Sequence, residues 1–356
     1  MSRIVISCAN LTSGGAERVL SILSKPLVEQ YDEVIYVMWV EGPVYYEIDS
    51  RVKLISIENE SGSKNQILKM FWFRKFIKSI CPDLVISFLT PYNMRVSLSL
   101  LGLNTKIVVA ERNDPHLIPG GKVVACLRNL LYIKAKGILC QTKYAAAAFK
   151  GILYKKTHVI YNPVVMNGDL VSSALATPKE NLIVSVARLV PQKDQKSLIN
   201  AFYKFKQRHS DYRLIIYGEG PYRHILETYI KSLNLSDSVF LPGVEKHIWQ
   251  KIKRAKLFVL SSKMEGMSNA MIEAMCLGLP VISTKVAGAT DLIQDGKNGF
   301  LTEVADSNKI ADLFALIVDN PDYAMTIGSN ASHIYEDLKS DVIIPQWIKY
   351  INEFII

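Results

Sequence analysis

Short runs of apolar and β-branched residues alternate with longer amphipathic stretches from one end of the chain to the other. In the first half the runs are RIVISC (3–8), VIYVMWV (34–40), LVISF (84–88), KIVVA (106–110), GILCQ (137–141) and HVIYN (158–162). They are apolar at nearly every position rather than at alternate ones, which marks strands buried on both faces, and helix-length segments separate them. The pattern predicts a parallel, doubly wound sheet. After a polar joint at NPVVMNGDLVSSALATPKEN (162–181) it begins again with LIVSVA (182–187), RLIIYG (213–218), LFVL (257–260) and PVIS (280–283). Two Rossmann-like α/β domains are expected, over 1–163 and 164–340, facing across a cleft at the carboxyl ends of their strands, where open sheets bind ligands. The final stretch, DVIIPQWIKYINEFII (341–356), is too apolar to hang free and is expected to be a helix packed back on the body.

Composition supports this and excludes other classes. The 356 residues are 49% hydrophobic and 21% charged, a globular balance that leaves no room for a disordered chain. No apolar run approaches the ~18–20 residues that cross a bilayer, and the opening MSRIVISCAN reads as a first strand rather than a signal peptide. The five cysteines (Cys8, Cys81, Cys126, Cys140, Cys276) are scattered with no Cys-x-x-Cys spacing, so reduced core thiols of a cytoplasmic protein are expected and no zinc site. Charge is more telling once divided. The net charge is +9; residues 1–163 hold 21 Lys+Arg against 12 Asp+Glu, whereas residues 164–356 hold 21 of each. Residues 61–82 carry five cations (Lys64, Lys69, Arg74, Lys75, Lys78) and no acid, and no acid lies between Asp114 and Asp169. The first half is built to meet something negative.

The chemistry-bearing residues sit in the turns that follow strands. LTSGGAERVL (11–20) places Gly14 and Gly15 between the first strand and a helix, where backbone N–H groups can meet an anion. SVARLVPQKDQ (185–195) ends a strand with Arg188 and then Lys193, a fork and a point charge suited to a diphosphate. YGEGPYR (217–223) and FLPGVEK (240–246) are two more glycine-bearing strand ends. SSKMEGMSNAMIEAMCLGLPVIST (261–284) carries Glu265 and Glu273 inside a segment otherwise built for burial, and a buried carboxylate persists only if it is paired or put to use. Ser268 or Asn269 is the expected helix cap between them. Two carboxylates suit the hydroxyls of a sugar and a ribose, since each accepts from neighbouring O–H groups.

Together these segments resemble the family-4 retaining glycosyltransferases of GT-B fold. The similarity rests on Glu265-x7-Glu273, EAMCLGLPVIST, the GGAER loop (14–18), the Arg188-x4-Lys193 pair and the GEGP turn (218–221), and covers nearly the whole chain. A narrower likeness is to bacterial enzymes that extend an undecaprenyl-diphosphate-linked glycan with N-acetylgalactosamine, and to capsule and lipopolysaccharide O-antigen transferases. The resemblance implies a final helix crossing back to the first domain and a UDP-sugar donor held mainly by the second. Glu273 would bind ribose, Glu265 the transferring sugar, Arg188 and Lys193 the diphosphate, and the backbone around Gly218, Val244, Gly266, Met267, Ser268 and Asn269 would complete the donor site with Gly14 and Gly15. It also implies no cofactor and no metal, and no Asp-x-Asp motif stands at a strand end. Two departures are visible: the family's Glu-Gly-x-Pro is Glu265-Gly266-Met267-Ser268, and the acceptor-side stretch VVAERNDPHLIPGG (108–121) offers Glu111, Arg112, Asp114 and His116 as alternatives for a catalytic group. Asp114-Pro115 reads equally as a plain chain turn.

Two other functions were weighed against this one. A UDP-sugar 2-epimerase shares the fold but fits Glu265-x7-Glu273 less well. A nucleic-acid-binding protein would explain the basic first half, yet no motif with interleaved aromatics on a strand is present. The sequence KNQILKMFWFRKFIKSI (64–80) instead has the composition of a helix lying on an anionic membrane, which would put the protein at the inner face of the cell membrane, or of one whose apolar residues pack on the first sheet with the cations as its solvated face.

Overall fold

The computed structural model describes residues 2–117 and 121–355. Residues 118–120 of the expected acceptor-side stretch and Ile356 of the expected final helix, like Met1, lie outside the described residues. The chain divides into two compact units, Met1–Pro163 with Ser340–Ile356, and Val164–Lys339.

The first unit is a seven-stranded parallel sheet: β1 (Arg3–Cys8), β2 (Glu33–Met38), β3 (Lys53–Ser56), β4 (Leu84–Phe88), β5 (Ile107–Glu111), β6 (Gly137–Cys140) and β7 (Thr157–Val159), in the order β3-β2-β1-β4-β5-β6-β7. The second has six parallel strands: β8 (Leu182–Val186), β9 (Arg213–Tyr217), β10 (Val239–Gly243), β11 (Leu257–Leu260), β12 (Val281–Thr284) and β13 (Phe300–Thr302), in the order β10-β9-β8-β11-β12-β13. Both are Rossmann-like. Central strands are apolar throughout because helices cover both faces, so β4, β5 and β11 bury every residue. The hydrophobic pattern overlooks β3 and β13 for one reason: both are short edge strands, and the KLIS of β3 exposes its first two residues, so neither shows a long apolar run.

In each sheet the strand order reverses once, between β1 and β4 and between β8 and β11. The loops leaving the two strands at such a point turn to opposite faces and open a crevice at the carboxyl edge, the place where doubly wound sheets hold ligands.

The Ser340–Ile355 helix groups with the first unit. It buries Ile343, Trp347, Tyr350 and Ile351. Trp347 stacks on Phe88 at the end of β4 (6.0 Å between centroids), Tyr350 stacks on His158, and Asn352 accepts a hydrogen bond from the Tyr31 hydroxyl at 2.9 Å. The basic Gln66–Ile80 helix is less uniform than its composition. Phe73 and Ile77 enter the core, and Lys69 is fully buried, its ammonium donating to the Trp39 carbonyl and to Glu58, both at 2.7 Å. Arg74 donates to the carbonyls of Ser99 and Leu101. Lys64, Lys75 and Lys78 are left exposed. Among the described residues no helix is long and apolar enough to cross a membrane.

Candidate functional site

The second unit's reversal point is where the expected residues meet. Lys193 closes the turn Pro191–Lys193 after β8, and Glu265 lies in the loop after β11, so the two neighbouring central strands each deliver one charge to the crevice. The Lys193 ammonium donates to Glu265 Oε1 in a short contact, and the Ser262 hydroxyl donates to the same oxygen at 2.8 Å. The two loops are also joined through backbone: the Ser261 hydroxyl donates to the Lys193 carbonyl (2.9 Å), the Lys263 amide to the Gln192 carbonyl (2.8 Å) and the Gln192 side chain to the Met264 carbonyl (2.8 Å). Sequence reasoning did not single out Gln192, Ser261 or Ser262. The signal available was their place directly after strands. With Oε1 engaged twice, Oε2 is the oxygen left to accept from a ligand hydroxyl.

Arg188 is exposed in the loop that leaves β8 and leads to Lys193, and its carbonyl accepts from the Gln195 side chain at 2.8 Å. Close backbone contacts with the neighbouring strand end hold the same turn. The Leu189 amide bonds the Glu219 carbonyl and the Ala187 amide the Tyr217 carbonyl, both at 3.0 Å. A side chain at Gly218 or Gly220 would overlap the carbonyls of Ala187 or Leu189, and Gly218 also has φ +136°, so only glycine lets the two strand ends approach. Gly243 (φ +90°) turns the chain after β10 and leaves Val244 exposed.

After Glu265 the loop runs through Gly266 and the buried Met267 into the Asn269–Cys276 helix. Ser268 is the cap, its hydroxyl accepting from the Met271 amide at 3.3 Å, so serine starts this helix without the proline of the family pattern. The loop lies on Gly288, where a Cβ would stand 2.8 Å from the Met267 Cα. Glu273 is buried in the second turn of the helix. It and burial push the neighbouring Cys276 thiol far above its usual range.

The first-unit candidates are arranged differently. Gly14 caps the Gly15–Gln30 helix, and the Glu17 carboxylate of that first turn folds back against it. Glu111 ends β5 with no exposed surface. Its carboxylate accepts from the Thr90 hydroxyl at 2.6 Å, from Asn93 at 3.5 Å and from the Tyr132 hydroxyl in a short contact. Arg112 is also buried. Among the described residues none of its three guanidinium nitrogens has a hydrogen-bond partner, and the group lies over the rings of Phe88 (5.5 Å) and Trp347 (5.6 Å); burial lowers its pKa to about 10. Asp114 accepts from the His116 amide at 2.8 Å in a side-chain turn, and the exposed His116 ring meets the Tyr144 carbonyl at 3.2 Å. One residue that the pattern could not flag is Leu89, whose φ of +75° is strained for a leucine and sits at the end of β4, next to the Phe88 under Arg112.

Residues 170–333 match the family model described as glycosyl transferases group 1. An N-acetylgalactosaminyltransferase of Campylobacter jejuni, named for the acceptor GalNAc-alpha-(1->4)-GalNAc-alpha-(1->3)-diNAcBac-PP-undecaprenol, is 28% identical over 99% of each chain. A second enzyme of that organism, an N-acetylgalactosamine-N,N'-diacetylbacillosaminyl-diphospho-undecaprenol 4-alpha-N-acetylgalactosaminyltransferase, is 28% identical over 87% of this chain and 88% of its own. Among solved structures, Anabaena HepE in complex with UDP and glucose superposes with a TM-score of 0.81 at 21% identity, covering 99% of this chain and 100% of that one. The second unit is thus similar to the group 1 glycosyl transferases over most of its length, and the fold is GT-B. The expected likeness to glycosyltransferases, and the narrower one to lipid-linked N-acetylgalactosaminyltransferases, are both found.

Proposed function

We propose that this chain is a retaining glycosyltransferase that moves a sugar, an N-acetylhexosamine or a hexose, from a UDP-sugar to a lipid-diphosphate-linked or polysaccharide glycan. The observation that carries the reading is the Lys193–Glu265–Ser262 cluster, built by the two strands that flank the second sheet's reversal point. The clamped Glu265 is held in one orientation, so its second oxygen accepts from the transferring sugar's hydroxyl without a search through rotamers. The exposed Arg188 guanidinium meets the diphosphate, whose negative charge grows as its bond to the sugar C1 breaks. The acceptor oxygen forms the new bond to C1 on the face that the diphosphate leaves, and the acceptor hydroxyl's proton departs with UDP. Glu273 is assigned to the ribose, and the turn at Gly243–Val244 to the base. The backbone from Gly266 to Asn269 completes the second unit's donor site. Metal-independent transfer follows from Arg188 and Lys193 supplying positive charge. The lipid-diphosphate acceptor is proposed from the relatives' names, and it brings the enzyme to the inner face of the cell membrane.

The test is a thermal-shift screen of UDP-, GDP- and ADP-sugars, followed by turnover on a short lipid-diphosphate glycan with and without EDTA. The expected result is stabilisation by a UDP-sugar alone, UDP release that survives EDTA, and a product with the donor's anomeric configuration. Release of an epimer without transfer, or loss of turnover in EDTA that magnesium restores, would overturn it.

A further inference from the structure

The turn at Gly243–Val244 follows an irregular strand end. β10 is an edge strand, and its parallel register against β9 shifts between Phe240 and Gly243, so that two residues, Leu241 and Pro242, fall opposite one, Ile216. Pro242 has no N–H to give to a ladder, and an extra residue of this kind bends a strand and loosens its pairing. Beyond it Gly243 turns the chain at φ +90° and Val244 stands out with 61% exposure. One backbone bond, from the Gly218 amide to the Gly243 carbonyl at 2.8 Å, ties this turn to the end of β9. A binding turn on a disrupted edge needs more than that to stay in one place.

Arg223 supplies the hold. It opens the Arg223–Ser232 helix, directly after the GEGP turn. Its Nη1 donates to the Leu241 carbonyl at 3.0 Å, inside the irregular stretch, and to Glu227 at 3.2 Å. Its Nε and Nη2 donate to the two oxygens of Glu219 at 2.8 and 2.7 Å, a bidentate grip that fixes direction as well as distance. Glu219 is itself oriented, since its Oε1 also accepts from the Gly220 amide at 3.2 Å, and its Oε2 lies against Gly243, 3.6 Å from where a Cβ would stand. One guanidinium thus fastens the end of β10 to the turn after β9. That turn is fastened onward: the Glu219 carbonyl accepts from the amide of Leu189, the neighbour of Arg188. Arg223 and Glu219 keep 28 and 51% of their side chains exposed, and a pair so exposed adds little to the stability of the fold. What it does is set the position of one strand end against another.

We propose that Arg223 is a positioning residue for the nucleobase end of the donor site: by gripping Glu219 and the Leu241 carbonyl together it fixes the Gly243–Val244 turn against the loop that carries Arg188. This rests on the proposed function, which gives that turn to the base of a UDP-sugar, and adds the residue that holds it. Arg223 acts through the turn, so it governs how tightly the base is held and leaves the step at the sugar C1 alone. Binding that is equal in ground state and transition state appears in KM and not in kcat.

Binding to the full chain is measured by titration calorimetry with two probes, UDP and ribose 5-diphosphate, which lacks the uracil. Arg223→Ala is expected to weaken UDP about tenfold and to leave ribose 5-diphosphate within about twofold of wild type, with a urea melt little changed. In turnover of the UDP-sugar the donor KM is expected to rise about tenfold while kcat stays within about threefold. Arg223→Lys keeps the charge but cannot reach Glu219 in two places and Leu241 as well, so it is expected to recover only part of the loss. Glu219→Gln breaks the same grip from its other side, is expected to show the same split between the two probes, and serves where Arg223→Ala does not fold. Wild-type affinity for UDP in a folded Arg223→Ala protein, equal losses for both probes, or full recovery by lysine would each overturn the proposal. The two readings fail differently: a wild type that does not bind UDP fails the functional reading and this one with it, whereas UDP bound alike by wild type and variant fails this one alone.

Discussion

Each unit places a carboxylate and a cation just past its central strands, and the two pairs have opposite fates. In the second unit Glu265 is gripped by Lys193 and Ser262 yet keeps 11% of its side chain in contact with solvent, and Arg188 in the loop leading to Lys193 is exposed. In the first unit Glu111 has no exposed surface and is satisfied by hydroxyl and amide donors, while Arg112 is sealed over two aromatic rings with no hydrogen bond to its guanidinium among the described residues. One arrangement leaves acceptor capacity and positive charge for a ligand. The other spends its carboxylate inside the domain, joining β5 to the Thr90–Ser99 and Gly121–Tyr132 helices through Thr90, Asn93 and Tyr132. The position of a residue after a strand is therefore not enough to define a site; what its polar atoms already touch decides.

The sharpest way to break this contrast is Arg188→Ala. If Arg188 meets the growing diphosphate charge, kcat falls by about 10²–10³ with the melting temperature unchanged. Activity within a few-fold of wild type would remove the second unit's cation from the chemistry. Glu265→Gln comes next, keeping the shape while losing the charge that Lys193 and a sugar hydroxyl share. A loss of ~1.5–3 kcal/mol in transition-state stabilisation is expected, read as a fall in kcat/KM. Unaltered kinetics in a folded variant would show that the clamp serves only the fold. The smallest effect is expected from Arg112→Met. It removes a buried, unpaired charge but also two ring contacts, so the net gain in stability should be about 1–2 kcal/mol in urea denaturation, with turnover retained. Lost turnover in that stabilised variant would make Arg112 a ligand-binding group and erase the distinction between the two units.

Much of this was legible in the chain. The central strands β1, β4 and β11 fall on the apolar runs at 3–8, 84–88 and 257–260, because a strand covered on both faces must be apolar at every position. The edge strands β3 and β13 escaped because the first has two solvated residues and the second is only three residues long. Glu265, Lys193 and Arg188 were legible because charged residues directly after buried strands have few structural reasons to be there.

The sequence alone determined that there are two doubly wound sheets, that the charge excess lies in the first half, and which strand ends bear chemistry, since all three follow from local composition and period. It could not say which way each side chain faces once helices pack. Lys69 and Arg128 count as surface cations in any composition, and packing buried both, while the apolar residues at 123, 127 and 130 came to face water. Burial depends on which helix lies against which, a contact between segments far apart in sequence, so only the tertiary structure could separate the engaged charges from those left to meet a ligand or a lipid surface.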